Sequence, residues 1–444
     1  MHNRLSFIAL AAALTLLAGS VRAQAPYVPS EGNLQSRKEF SQHRLGIFLH
    51  WGIYSTYAQG EWYLSTGHLD PETYSEAAAG FYPARFDAEQ WARAFKEAGA
   101  GYVTLTSRHH DGFSMFDTKV SDYDIVDATP FGRDVIAELA RACHSEGLDL
   151  HFYYSILDWM REDYPVGNSG RKTGRRTDRQ DYGHYFEFMK AQCKELMDNY
   201  APVRALWFDG YWDQPSSFDW RMPEFYRYLH SLHPELMIGN NHHILPIEGE
   251  DFQMFEKDFP GQNTTGFAPD QKVSESLPLE MCQTMNHTWG YSVKDQDYKS
   301  VGELVRTLAR CVSMDTNLLL NIGPMANGEL PGAALERLEG IGKWMRANSE
   351  SVKGCGPGPV DGQDWGVSTA PSEGDGRTFY LHVFKAPEGT LDIQVPVKSR
   401  VKEVTALDGG APLPFTKARK AATLSIVLPE IPADTDYVVK VTLR

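Results

Sequence analysis

Eight short apolar runs lie in the first three quarters of the chain, and most of them stop on polar or aromatic groups. Helical patterns lie between several of these runs. A strand buried on both faces reads as a continuous apolar run, and strands alternating with helices imply a parallel sheet. The runs occupy residues 45–51 (L-G-I-F-L-H-W), 101–112, 148–155, 203–210 (V-R-A-L-W-F-D-G), 236–241, 251–256, 280–286 and 317–323. Helices are expected at 86–99, 134–147, 180–200, 222–232, 301–313 and 332–348. The first two open on Asp87 and Asp134 as N-caps and stop on glycine. Roughly 320 residues of this alternation point to a (β/α)8-like TIM barrel with some helices irregular or missing.

Beyond a cluster of glycine and proline at 354–359 the helical signal ends. Short β-prone runs follow at 379–384, 390–395, 401–407, 422–428 and 437–443. They predict a small C-terminal antiparallel β-sandwich. The expected division is a signal peptide over 1–23, a catalytic barrel over 24–354 and the sandwich over 355–444. Arg4, the apolar stretch 5–17 and Val21-Arg22-Ala23 form the signal, with cleavage after Ala23. The apolar stretch is too short to span a bilayer, and no cysteine follows Ser20 to carry a lipid. A secreted or periplasmic protein is therefore expected, with no membrane insertion. Cysteines 143, 193, 282, 311 and 355 are odd in number and scattered through expected core elements. They read as core thiols rather than a disulfide framework, although one bridged pair stays open. A net charge of −15 argues against nucleic acid as a partner. Oligomeric state is left open.

Active sites of β/α barrels lie at the C-terminal ends of the strands. Asp209 ends its run there, and Trp207, two residues earlier, faces the same side. Other strand ends supply His50, then His109, His110 and Asp111, then Tyr153, then His242 and His243. The aromatic content of 12% suits carbohydrate, whose apolar ring faces stack on aromatic rings. Cleaving a glycosidic bond with retention needs two carboxyl groups about 5 Å apart. Asp209 is the expected nucleophile. The acid/base must come from a later strand end, either Glu256 (D-F-Q-M-F-E) or Glu280. Glu61, after the first strand, is a third acid near the mouth. An acid kept protonated at neutral pH needs burial or the nearby Asp209 charge to raise its pKa. Two rival classes are a metal-dependent hydrolase using His109, His110 and Asp111, and an inactive sugar-binding barrel. Adjacent histidines on a strand should face opposite ways, and no H-x-H or H-E-x-x-H spacing occurs. An inactive barrel would have lost a carboxylate, and these are all present.

The motifs L-G-I-F-L-H-W-G-I-Y-S (45–55), G-E-W-Y (60–63) and R-H-H-D-G-F (108–113) resemble those of glycoside hydrolase family 29, the α-L-fucosidases. So do F-Y-Y-S (152–155), L-W-F-D-G (206–210), T-W-G-Y (288–291) and N-L-L-L-N-I-G-P (317–324). The resemblance runs in order from about Arg37 to Val352. It implies a retaining exo-hydrolase of terminal α-L-fucose on fucosylated glycans, with no metal or other cofactor. It aligns Asp209 with the nucleophile, and His50, His109, His110, Tyr153 and Trp207 with fucose-binding residues. Glu61 and Trp62 match a sugar-contacting segment. For the acid/base the resemblance favours Glu256, with Glu280 second. Leu279 stands where the family usually has tryptophan. Where the family often carries N-D-R, this chain has Asn240-Asn241-His242-His243, so His242 is expected to replace the arginine. Fucose carries a methyl group in place of a hydroxymethyl and needs an apolar patch; Trp207, beside the nucleophile, is expected to pack there, with Phe255, Trp289 and Trp62 as further candidates.

Overall fold

The computed structural model describes residues 26–170, 179–418 and 420–444. The expected signal peptide lies outside them. Eight parallel strands form the main sheet: β1 Leu45–Leu49, β2 Tyr102–Arg108, β3 Asp149–Ser155, β4 Ala205–Asp209, β5 Met237–Asn241, β6 Gln253–Glu256, β7 Leu279–Thr284 and β8 Thr316–Ile322. Their order, β5-β4-β3-β2-β1-β8-β7-β6, winds the sheet toward a barrel. No strand ladder joins β5 to β6. Asp251 stitches that seam instead, its N–H donating to the Ile238 carbonyl at 2.6 Å and its Oδ2 accepting the Ile238 N–H at 2.7 Å.

The alternation of side chains along each strand divides the barrel into two cores. Leu45, Ile47, Leu206, Phe208 and Met281 face the surrounding helices. Phe48, Tyr102, Tyr153, Trp207, Met254 and Cys282 fill the interior. Helix Glu31–His43, which the sequence reading missed, sends Phe40 into that inner core, 5.2 Å from the Tyr102 ring and 5.1 Å from Phe252. Tyr102 in turn explains Gly46. A Cβ there would lie 2.3 Å from the Tyr102 ring, so only glycine lets β1 pass.

All six expected helices form, two of them as Ala88–Glu97 and Val135–Glu146, capped by Asp87 and Asp134. No long helix separates β5 from β6 or β6 from β7, where irregular loops cross the barrel mouth. None of the described helices is long and apolar enough to cross a membrane. All five cysteines are free and buried.

The C-terminal strands make a five-stranded sheet and a three-stranded sheet. The former includes Cys355–Pro357, within the expected turn cluster, and Gly366–Pro371, which is not among the expected strands. In strand Thr378–Val383, Phe379, Leu381 and Val383 face the sandwich core, whereas Tyr380 packs into the outer core of the barrel. The neighbouring His382 is held between Asp436 (2.7 Å) and Thr369 (3.0 Å). The sandwich docks on helices Val301–Ser313 and Gly332–Asn348. Arg306 pairs with Asp434 at 2.9 Å, and the Trp344 indole donates to the Asp436 carbonyl at 3.0 Å. No sandwich residue lines the cavity over the C-terminal ends of the barrel strands.

Candidate active site

A cavity of about 530 Å³ opens over the C-terminal strand ends. Asp209, the last residue of β4, stands in its wall and is held by four donors, Asn241 among them. The Gly210 N–H (2.9 Å) and Trp212 Nε1 (3.1 Å) reach Oδ1, and the Tyr153 hydroxyl reaches Oδ2 at 2.9 Å. Gly210, at φ +106, bends the chain so that its own N–H turns back onto the carboxylate. Burial, reinforced by the Glu256 charge, pushes Asp209 up to about 7, and the hydrogen bonds oppose that rise.

Glu256 ends β6 across the cavity. Asn241, at the end of β5, joins the two acids: its Nδ2 lies 3.4 Å from Asp209 Oδ1 and 2.9 Å from Glu256 Oε2. The two oxygens it reaches therefore lie within ~6.5 Å of each other, a spacing compatible with the close carboxyl pair of a retaining glycosidase.

Three histidines face the pair and are kept neutral by burial. His50 is pushed down to about 3, and His109 and His110 fall well below the usual histidine range. Their surroundings fix two tautomers. The Asn321 amide donates to the Trp289 carbonyl at 2.7 Å, so its Oδ1 accepts from His50 Nδ1, also at 2.7 Å. The Ser155 hydroxyl donates to the Leu157 carbonyl, so it accepts from His110 Nδ1 at 2.7 Å. In both rings Nε2 is left with a bare lone pair. The 3.6 Å approach of His110 Nε2 to Asp209 Oδ2 is thus a meeting of two acceptors rather than an ion pair.

Aromatic groups complete the wall. Tyr153 stacks on Trp207 at 5.3 Å and Trp62 on Trp212 at 5.5 Å. Glu61 lines the same wall and accepts the Gly290 N–H at 2.7 Å. The Gly60 N–H donates to the Tyr291 carbonyl, which straps the loop after β1 to the loop after β7.

The α-L-fucosidase family profile matches residues 14–350. The chain belongs to the α-L-fucosidase family. It is 34% identical to α-L-fucosidase isoenzyme 1 from Paenibacillus thiaminolyticus, with a TM-score of 0.80 over 93% of this chain and 100% of that one. A family 29 α-L-fucosidase from Bacteroides thetaiotaomicron, trapped as a covalent intermediate from 2-fluoro-fucosyl fluoride in a Glu-to-Gln mutant, is 25% identical. Its TM-score is 0.78, covering 95% of this chain and 98% of that one. Human tissue α-L-fucosidase is 28% identical over 95% of this chain and 93% of its own.

Of the residues expected from the sequence, His50, Glu61, Trp62, His109, His110, Tyr153, Trp207, Asp209, Glu256 and Trp289 all line the cavity. Glu280, His242 and Phe255 do not. Glu280 points into the barrel, but strand register puts Cys282, two residues on, beside Glu256. At about 3.3 Å per residue Glu280 therefore sits some ~7 Å deeper. There it accepts from Tyr102 Oη (2.5 Å) and Trp207 Nε1 (2.8 Å). His242 follows the end of β5 and turns outward, its Nε2 3.0 Å from Glu250. His243, at φ +61, turns back and lines the cavity in its place. Phe255 is adjacent to Glu256 on one strand and so faces away.

The expectation that His109 and His110 diverge fails. Strand β2 ends at Arg108 after a bulge, and beyond it both rings enter the cavity with centroids 4.1 Å apart. Asp111 turns instead to Tyr74, whose hydroxyl donates to it at 2.9 Å. Among the described residues, no three His, Cys, Asp or Glu side chains are grouped to hold a metal ion. The sequence reading overlooked Phe48, Asn241, Lys257, Phe267, His287 and Thr288 as lining residues. Asn241 had a signal: it is the last residue of the apolar run 236–241.

Proposed function

We propose that this protein hydrolyses terminal α-L-fucosides of fucosylated glycans by double displacement. Asp209 attacks the anomeric carbon while Glu256 gives its proton to the departing glycosidic oxygen. A fucosyl ester of Asp209 results. Glu256, now ionised, takes a proton from water, which attacks the same carbon from the face the leaving group vacated. Two inversions return fucose in the α configuration.

The observation that carries this reading is the single Asn241 amide reaching both carboxyl groups. Bridging by a single amide suits the close carboxyl pair of a retaining enzyme better than a pair held apart by a water. The covalent intermediate of the 25% identical Bacteroides enzyme supports the same chemistry. Neutral His50 and His110, each offering a lone pair, suit sugar hydroxyls that donate. Phe48, Trp207, Cys282 and Trp289 form the apolar stretch of wall suited to the sugar's methyl group. Glu61, Trp62, His109 and Tyr153 complete the fucose pocket in this reading.

The test is proton NMR of an aryl α-L-fucoside during hydrolysis. The α anomer of fucose is expected first, with the β anomer appearing only by mutarotation. The β anomer appearing first would overturn the double displacement.

A further inference from the structure

In the fucosidase reading one side of the cavity is left without a role in holding fucose. Past Glu256 its wall continues through His243 and Phe267. His243 Nε2 lies 3.6 Å from Glu256 Oε2, and the rings of His243 and Phe267 are 5.9 Å apart. A general acid touches the bond to the leaving group, so whatever lies beyond the acid faces that group. We propose that His243 and Phe267 form a leaving-group subsite for a neutral pyranose ring, and that Phe267 discriminates among glycans by it. The inference rests on the fucosidase reading and deepens it.

Phe267 is 53% exposed although it lines a cavity. Lone exposed apolar side chains are common, but this one is fixed in place. Asp258, two residues past Glu256, accepts the Thr264 N–H (3.0 Å) and hydroxyl, and the Thr265 N–H (3.0 Å) and hydroxyl (2.7 Å). Beyond Phe267, Ala268 N–H donates to Asn263 Oδ1 at 2.9 Å, and Gln271 donates to the Met254 carbonyl at 2.7 Å. The loop is thus tied to β6 on both sides of the phenyl ring. A ring held half in water, at a set place relative to the acid, is preorganised for a flat apolar partner. The C–H face of a pyranose is such a partner, and the imidazole beside it can bond a hydroxyl. His243 takes a left-handed backbone conformation uncommon for a residue with a side chain. That conformation returns its ring to the cavity after His242 has turned away. The neighbouring Lys257 donates to the His287 carbonyl at 2.9 Å and lies over the Trp289 ring, so its charge is already engaged.

The test compares kcat/KM on a panel of fucosylated oligosaccharides, differing in linkage, with kcat/KM on α-L-fucosyl fluoride. The fluoride leaving group is too small to reach Phe267. On the best oligosaccharide, Phe267→Ala is expected to lower the ratio of the two values about 10-fold, mainly through KM. Phe267→Trp should restore it. His243→Ala is expected to lower the same ratio. An unchanged ratio in Phe267→Ala, whether both activities hold or fall together, would overturn the subsite while leaving fucoside hydrolysis standing. A wild type that turns over neither the fluoride nor any oligosaccharide would overturn the fucosidase reading and the subsite with it.

Discussion

Replacing Glu280 by glutamine should make the protein more stable at alkaline pH without stopping turnover. The carboxyl is fully buried and accepts two hydrogen bonds, from Tyr102 and Trp207. Burial raises its pKa from the ordinary 4.5 to about 7, and the two donors only partly oppose this. A carboxyl with a raised native pKa holds its proton more tightly folded than unfolded. Its contribution to stability is therefore full below about 4.5 and is lost as pH rises through about 7. At ~1.4 kcal/mol for each pKa unit, ionisation costs about 3 kcal/mol of native stability above pH ~8. Glutamine has nearly the same shape and carries no charge at any pH. Its carbonyl can accept from Trp207 while its amide donates to the Tyr102 oxygen. Urea unfolding followed by tryptophan fluorescence should place Glu280→Gln level with the wild type near pH ~4.5. It should be more stable by up to about 3 kcal/mol near pH ~9. Aryl fucoside turnover should persist, because Cys282 and not Glu280 stands beside Glu256. A variant less stable than the wild type at alkaline pH would refute the reasoning, as would one whose turnover falls to background.

Trp212→Phe removes one donor to the Asp209 carboxylate, so the Asp209 pKa should rise further. Because the carboxylate form is the nucleophile, the acid limb of the kcat/KM profile should move to higher pH, read from profiles of both proteins. His242→Ala strips a partner from buried Glu250 and should cost about 1–3 kcal/mol of stability, read as a lower thermal midpoint, while KM stays within ~2-fold. We also propose export of the protein. Sequencing the amino terminus of material recovered from the periplasm or medium should find Gln24 first.

Much of the fold was legible because buried parallel strands leave an unbroken apolar signature, and all eight runs became strands of one sheet. The helix Glu31–His43 left none: it buries chiefly Asn33, Ser36 and Phe40, too sparse a stripe to announce itself. At the site, residues on regular strands were placed well, as Asp209 and Trp207 on β4 illustrate. Errors arose where the backbone leaves regular geometry. The bulge in β2 brings His109 and His110 together, and the left-handed turn at His243 exchanges the places of His242 and His243. Glu280 was misjudged for another reason. Its depth depends on the register between β6 and β7, which no local pattern encodes.

The assignment of Asp209 and Glu256 is tested most directly with azide, a nucleophile that needs no general base. Aryl α-L-fucoside is given to the Asp209→Ala, Glu256→Ala and Glu280→Ala variants with and without azide. The expected result is that azide accelerates Glu256→Ala and yields α-L-fucosyl azide, because it replaces water on the leaving-group face. With Asp209→Ala the only azide product should be the β anomer, formed in the space the nucleophile vacated. Glu280→Ala should gain nothing from azide. Acceleration of Glu280→Ala to the α azide, with Glu256→Ala unaffected, would contradict the assignment.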